Sequence, residues 1–422
     1  MTTDDRGTIG VTDLQFVVHG AAEVAAVSDA DDAGPAAGLE TIADGAVAVV
    51  DGEIAAVGET ATVTRDYPPE NAATAIDAAG KTVQPGFVDP HTHAVFAGDR
   101  SDEFEAKLRG KSYQEIMAEG GGILRTVRAT READTETLLA NLLDHLDLML
   151  AHGSTTVEVK SGYGLDTETE LRMLEVIDRA NERHPIDLVA TYMGAHAVPE
   201  DRDTDEYVDE VVDEQLPAVA DQGVAEFCDV FCEEDVFDVA QSRRILEAGR
   251  ERGLSPKAHA EEFVHLGGTQ LAADVGATSA DHLLNATSDD VRALIDAGTV
   301  PVLLPGTAFG LRTEYADARG MLEAGAPVAL ATDFNPNCHS HSMGFATTLA
   351  CVGMRMTPAE ALIGATRNAA AAIDRPNGPG RLEVGGPADL CVLDAPSHVH
   401  VPYSFGVNRV ETVVKDGEVV HG

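Results

Sequence analysis

At 422 residues with 44% hydrophobic side chains, the chain is long enough for one large barrel or two to three smaller domains around an ordinary globular interior. Its 72 Asp and Glu against 29 Lys and Arg leave a net charge of −43, a field that repels nucleic acid and anionic membrane and argues against both as partners. The acids are spread over predicted helix faces and loops, as on the highly hydrated surface a high-salt cytoplasm would select, and lysine is confined to Lys81, Lys107, Lys111, Lys160, Lys257 and Lys415.

The opening MTTDDRGTIG has no basic segment followed by an apolar one, and no apolar run reaches the roughly 18 residues of a membrane helix, so a cytoplasmic protein is expected. The first part then reads as short strands: DLQFVVHGAAEVAAV, an acidic loop SDADDAGPAAGLE, and GAVAVVDGEIAAVG with an Asp-Gly hairpin signal at Asp51 and Gly52. The end of the chain repeats that grammar in ADLCVLDA and RVETVVKDGEVVHG, with Asp416 and Gly417. The two ends are expected to pair into one small β-domain, from residues 1–86 and 380–422.

Between them, over 87–379, short apolar segments alternate with capped helical patterns. The segments are GFVDPHTH, STTVEVKSGYG, DLVATYMGAH, AEFCDVFCE, LSPKAHAEE, ATSADHL, VPVLLPG and VALATDF. The helical patterns are DTETLLANLLDHLDLMLAHG, DTETELRMLEVIDRANERH, DEYVDEVVDEQLPAVADQG, DVAQSRRILEAGRERG, GGTQLAADVGA, SDDVRALIDAG, EYADARGMLEAGA and TPAEALIGATRNAAAAI, mostly opening on Asp, Ser or Thr and several closing on Gly. Eight strand-helix pairs define an α/β fold, a (β/α)8 TIM-type barrel. Five cysteines make no disulfide framework, and Cys228 and Cys232 read as buried small hydrophobes on one face of a strand.

Strand after strand ends in residues that a core excludes: His91 and His93, Lys160 and Tyr163, His196, Glu233, His259 and Glu262, His282, and Asp333. In such barrels these C-terminal strand ends form the active-site face. His91 and His93 share a strand face, and His259 with Asp333 completes a His₃Asp set that leaves a position open for water. Read singly, His259 could be a satisfied core histidine and Asp333 a helix cap; His-x-His alone is weak. Two further copies carry less: His339-Ser340-His341 follows the eighth strand without a strand to fix it, and His398-Val399-His400 reads as a solvated strand or turn.

PGFVDPHTH, HAEE and ATDF together resemble the amidohydrolase superfamily over nearly the whole chain, including a β-sandwich built from both chain ends. The ordered series VFAGDR, EGGGI, VEVKSGYGL, GAHAVP, DVFCE, SADHL, LPGT and TDFNP resembles one of its branches, the imidazolonepropionase family. The resemblance implies hydrolysis of the ring C–N bond of 4-imidazolone-5-propanoate, giving N-formimidoyl-L-glutamate, with one divalent or trivalent ion, zinc or iron. It implies metal ligation by His91, His93, His259 and Asp333, and catalysis by Asp333 as proton acceptor, Glu262 as general acid and His282 as an orienting group. It further implies substrate contacts from Arg100 to the carboxylate, and from Tyr163, His196, Glu262 and Asn335. Where relatives continue NPGS or NPGT, this chain has Asn337 and Cys338, so substrate contacts there are expected from the backbone. Lys160 is expected to pair or position rather than to bridge two metals. A small-molecule substrate is implied, and the barrel exterior leaves room for a homodimer. Two rival readings remain: a nucleobase deaminase-like hydrolase, which has no use for a carboxylate clamp, and a catalytically silent scaffold, which has no use for a full ligand set.

Overall fold

The computed structural model describes residues 14–28, 34, 36–111, 115–116 and 119–422. The opening decapeptide and part of the acidic loop therefore lie outside the described residues.

The alternating segments at both ends form one sheet, from β1 (Leu14–Val27), β2 (Leu39–Val50), β3 (Glu53–Glu59), β4 (Thr74–Asp77) and β5 (Thr82–Pro85). Its remaining strands are β14 (Leu390–Leu393), β15 (Val410–Lys415) and β16 (Glu418–His421), in the order β16-β15-β14-β5-β1-β2-β3 with β4 beside β1. The ends of the chain meet where β5 pairs antiparallel with β14, Pro85 opposite Leu390. Both Asp-Gly signals are hairpin turns with the left-handed φ values such turns need: Asp51 52° and Gly52 81°, Asp416 50° and Gly417 77°. Gln15 ties the two turns together, accepting from Gly52 N at 2.7 Å and donating to Asp416 O at 3.0 Å.

The second sheet holds eight parallel strands in sequence order: β6 (Phe87–Asp89), β7 (Ser154–Lys160), β8 (Asp187–Ala195), β9 (Phe227–Cys232), β10 (Ser255–Ala260), β11 (Ser279–His282), β12 (Val300–Leu303) and β13 (Ala329–Leu330). It curls into a nearly closed barrel, joined at the seam by a parallel bridge between Thr92 and Phe334. There His93 N donates to Phe334 O at 2.9 Å and Asp333 N to His91 O at 3.2 Å. The seam between the first and last barrel strands is thus made by the backbone of the PHTH and TDF segments.

Helices wrap the barrel where the caps foretell them. Asp134, Asp166 and Asp238 accept from the backbone N–H three residues on, each at 2.8 Å, and Gly223, Gly276 and Gly298 close helices in left-handed conformation. In β9, Cys228 and Cys232 face outward, against Gly249 and Gly268 of the following helices, where a Cβ would approach Cys228 Cβ to 2.8 Å and Ala260 Cβ to 3.1 Å. No helix among the described residues is long and apolar enough to cross a membrane.

One helical reading is refined and one corrected. DEYVDEVVDEQLPAVADQG is helical without a break over 204–222, with a π turn over Val211–Gln215 between Thr204–Glu210 and Leu216–Gln222. Pro217 has no N–H to continue the ladder, and the wider turn accommodates it while aiming Gln215 at the hydroxyl of buried Tyr192, 2.7 Å away. TPAEALIGATRNAAAAI breaks into Pro358–Gly364 and Arg367–Ala371, which turns the Ala365 carbonyl onto Val88 N at 3.0 Å. Helices Ser101–Leu108, Ile123–Glu132 and Met343–Met354 add to those read from sequence.

Candidate active site

Period-2 alternation sends Glu158 and Lys160 of β7, Asp229 of β9, Lys257 and His259 of β10, and Ser279 and Asp281 of β11 into the barrel. His91, His93, His259 and Asp333 converge above them, each no more than 3% exposed. His259 Nε2 lies 3.3 Å from His93 Nε2, and Asp333 Oδ1 lies 3.6 Å from His91 Nε2 and 3.7 Å from His93 Nε2. Two nitrogens held about 2.0–2.1 Å from one ion at a tetrahedral angle would lie roughly 3.3–3.4 Å apart. The buried His91 Nε2 has no hydrogen-bond partner. His91, His93 and His259 are the group of potential metal ligands that the described residues bring together. Burial, then Lys160 beside His91 and His196 beside His93, holds both imidazoles well below the usual histidine range, so they present lone pairs. The donor set fits a metal ion: neutral imidazoles, one carboxylate and an orphaned ring nitrogen.

Beneath the histidines lies a layer of carboxylates. Asp281 Oδ2 is 2.6 Å from His91 Nδ1, and Asp229 Oδ1 is 3.2 Å from His259 Nδ1, which turns each Nε2 lone pair toward the centre. Lys160 Nζ sits between them, 2.8 Å from Asp229 and 3.9 Å from Asp281, and 2.7 Å from Glu158. Burial alone would drive this ammonium down, but Asp229, Glu158 and Asp281 more than offset it and hold it above the usual lysine range. Lys257 donates to the carbonyls of Pro90 at 3.0 Å and Ala372 at 3.2 Å. Lys160 is thus an ion-paired group beneath the centre, as its strand context suggests.

Backbone distortion aims the upper residues. On a regular strand His282 would face outward with Ala280, but its φ of 77° brings its ring within 5.0 Å of His259 and 5.4 Å of His91, centroid to centroid. Neither ring nitrogen of His282 has a hydrogen-bond partner, and Nε2 faces Glu262 Oε2 at 3.8 Å. Of the two glutamates in HAEE, Glu261 is structural: it accepts from the N–H groups of Leu266, Gly267, Gly268 and Thr269 at 2.7–3.1 Å. Glu262 points into the site. Burial, reinforced by the charges of Asp333 and Glu233, pushes its carboxyl well above the usual range. Burial likewise pushes Asp333 up to about 6, against hydrogen bonds from Thr307 and Asn335.

Tyr163 and His196 flank the centre: the His196 ring stacks on His93 at 4.6 Å, and Tyr163 lies 5.3 Å from His196. His196 Nδ1 donates to Gly162 O at 3.1 Å; Gly162 has φ 101°, and a Cβ there would come within 2.8 Å of Met193 O. Glu170 shapes this SGYG loop by accepting from Gly162, Gly164 and Leu165 N–H.

Arg100 is not part of the histidine cluster. It is 8% exposed and its Nε donates to Glu103 at 2.9 Å. Asn335 donates to Asp333 Oδ1 at 3.0 Å, and its own Oδ1 accepts from Asn337 N at 2.7 Å and Cys338 N at 3.0 Å. The Asn337 side chain accepts from Lys107 at 2.6 Å, while Cys338 Sγ turns inward to Thr332 O at 3.6 Å. His339 and His341 pack on Phe334, outside the centre. His398 differs from its expected solvated state: it is 9% exposed and its Nδ1 lies 2.7 Å from Glu23. Asp229, Asp281 and Glu170 are site residues that the sequence reading passed over; a lone carboxylate inside an apolar strand is the signal that marks Asp229 and Asp281.

Residues 82–420 match the model described as Amidohydrolase family, and residues 45–69 match Imidazolonepropionase-like composite domain, bacteria. The chain is 68% identical to imidazolonepropionase of Haloarcula marismortui, over 97% of each chain. It is 51% identical to imidazolonepropionase of Geobacillus kaustophilus, over 90% of this chain and 91% of that one. An adenosine deaminase from Xanthomonas campestris with bound zinc shares the fold at 18% identity, TM-score 0.72, over 96% and 93% of the two chains. So does a triazine hydrolase variant at 16% identity and TM-score 0.74, over 96% and 94%.

A barrel with this donor set at its mouth and this family match is an amidohydrolase, a metal-dependent hydrolase acting on C–N bonds. Within that class the chain belongs to the imidazolonepropionase family, and its reaction is hydrolysis of the ring C–N bond of 4-imidazolone-5-propanoate to N-formimidoyl-L-glutamate. The likeness to a deaminase is one of fold alone.

Proposed function

We propose that His91, His93 and His259 through Nε2, and Asp333 through Oδ1, hold one ion, zinc or iron, since this donor set suits either. The observation that carries the reading is the convergence of these four atoms over carboxylates that fix the histidine tautomers. When bound, such an ion acidifies a water and polarises the carbonyl it faces.

The chain's own residues do the rest. Water adds to the ring carbonyl carbon, the C–N bond breaks, and the leaving nitrogen takes a proton. Asp333 accepts the water's proton at its carboxylate. Glu262, kept protonated by its surroundings, donates to the leaving nitrogen. His282, opposite Glu262, accepts or donates one hydrogen bond at the reacting oxygen. Tyr163 and His196 wall the ring, Arg100 receives the propionate, and Asn335 with the backbone of Asn337 and Cys338 supports the product. The working unit is residues 87–379, with 1–86 and 380–422 as its β-sandwich.

The test is turnover of imidazolone propionate by His259→Gln and Glu262→Gln proteins of measured metal content. His259→Gln should lose both ion and rate, whereas Glu262→Gln should keep the ion and lose the rate. A Glu262→Gln protein at wild-type speed would remove that residue from the mechanism.

A further inference from the structure

In a chain of net charge −43, a lysine without a carboxylate partner is anomalous. Lys81, Lys111, Lys160, Lys257 and Lys415 each have a carboxylate oxygen within 4.0 Å. Among the described residues Lys107 has none, and its half-buried ammonium donates instead to the neutral carboxamide of Asn337, 2.6 Å away. Burial and then neighbouring Arg100 lower this ammonium, and the more distant charge of Glu103 offsets them only in part.

Its position explains what it waits for. Arg100, Glu103 and Lys107 recur at the 0, 3, 7 spacing that shares one face of helix Ser101–Leu108, while Glu105 and Arg109 stay exposed. Glu103 takes the Arg100 Nε–H at 2.9 Å and the Gly122 N–H at 3.0 Å, which fixes the guanidinium on this face. Lys107 reaches from the same face to the loop after β13, where Asn335 links Asn337 to Asp333. Arg100 and Lys107 therefore share one face, and Lys107 is joined to Asp333 through Asn337 and Asn335.

We propose that Lys107 is the second cation of the carboxylate subsite: its ammonium leaves the Asn337 oxygen and pairs with the substrate's propionate, beside Arg100. This rests on the reading of Arg100 as the propionate-binding residue. A carboxylate is a far better partner for an ammonium than a carboxamide, so the exchange favours an anionic substrate over a neutral ring.

The experiment compares wild type, Lys107→Met and Lys107→Arg on imidazolone propionate and on the same ring carrying an ethyl group in place of the propionate. On the propionate, Lys107→Met should raise KM roughly ten- to hundredfold with kcat nearly unchanged, and Lys107→Arg should restore most of the loss. On the ethyl ring, kcat/KM should be the same for all three. A Lys107→Met KM within twofold of wild type, or an equal loss on both rings, overturns the role of Lys107 alone. Arg100→Met, run alongside, separates the readings: no KM effect there overturns the carboxylate subsite itself.

Discussion

His91 Nδ1 lies 2.6 Å from Asp281 Oδ2, with both side chains fully buried. The pair fixes the His91 tautomer, because a carboxylate can only accept at that distance. Asp281→Asn should therefore lower metal affinity about 10- to 100-fold while leaving the fold intact. Competition with a chromophoric chelator measures the first, and circular dichroism the second; unchanged affinity would show that the tautomer is set elsewhere.

Lys160 neutralises Glu158 and Asp229 and borders Asp281 in the same buried layer. Lys160→Met strands those charges, and urea unfolding should show a loss of about 3–5 kcal/mol, the usual cost of an uncompensated buried charge. Adding Asp229→Asn should return part of it.

In the proposed role of general acid, Glu262 must be protonated. Its raised carboxyl keeps the rate full below its pKa, and the rate falls as pH rises through it. Glu262→Gln should cost about 10²–10⁴ in kcat and abolish that alkaline limb. Removing the charge of Glu233, one of the causes of the shift, favours the ionised form; Glu233→Gln should move the limb to lower pH. Profiles of kcat against pH decide both.

The acidic surface repels itself, and salt screens that repulsion: the Debye length shrinks from about 10 Å at 0.1 M to about 3 Å at 1 M. The melting temperature should rise with KCl across this range. A flat or falling melting curve would contradict the expectation that this charge marks a salt-adapted surface.

What was legible in the sequence is what short-range pattern encodes. Asp51-Gly52 and Asp416-Gly417 foretell their hairpins because few residue pairs tolerate two left-handed φ values in a row. The barrel strands announce themselves by ending in polar residues. Asp281 and Asp229 escaped because their partners, His91 and His259, lie on other strands, and only the closed barrel brings them together. Helix Met343–Met354 escaped because it is apolar nearly all round, so no amphipathic period marks it. Lys107 escaped because helix Ser101–Leu108 was not read from sequence, and its lack of a carboxylate is a property of the folded surroundings.

In the proposed reaction, His91, His93, His259 and Asp333 would hold the ion on which hydrolysis of the imidazolone ring depends. The direct measurement is the initial loss of ring absorbance from imidazolone propionate, with metal content determined on the same samples before and after chelation. The rate should fall in proportion to the ion removed and return when zinc or iron is restored. An undiminished rate in protein from which all metal has been stripped would contradict the account.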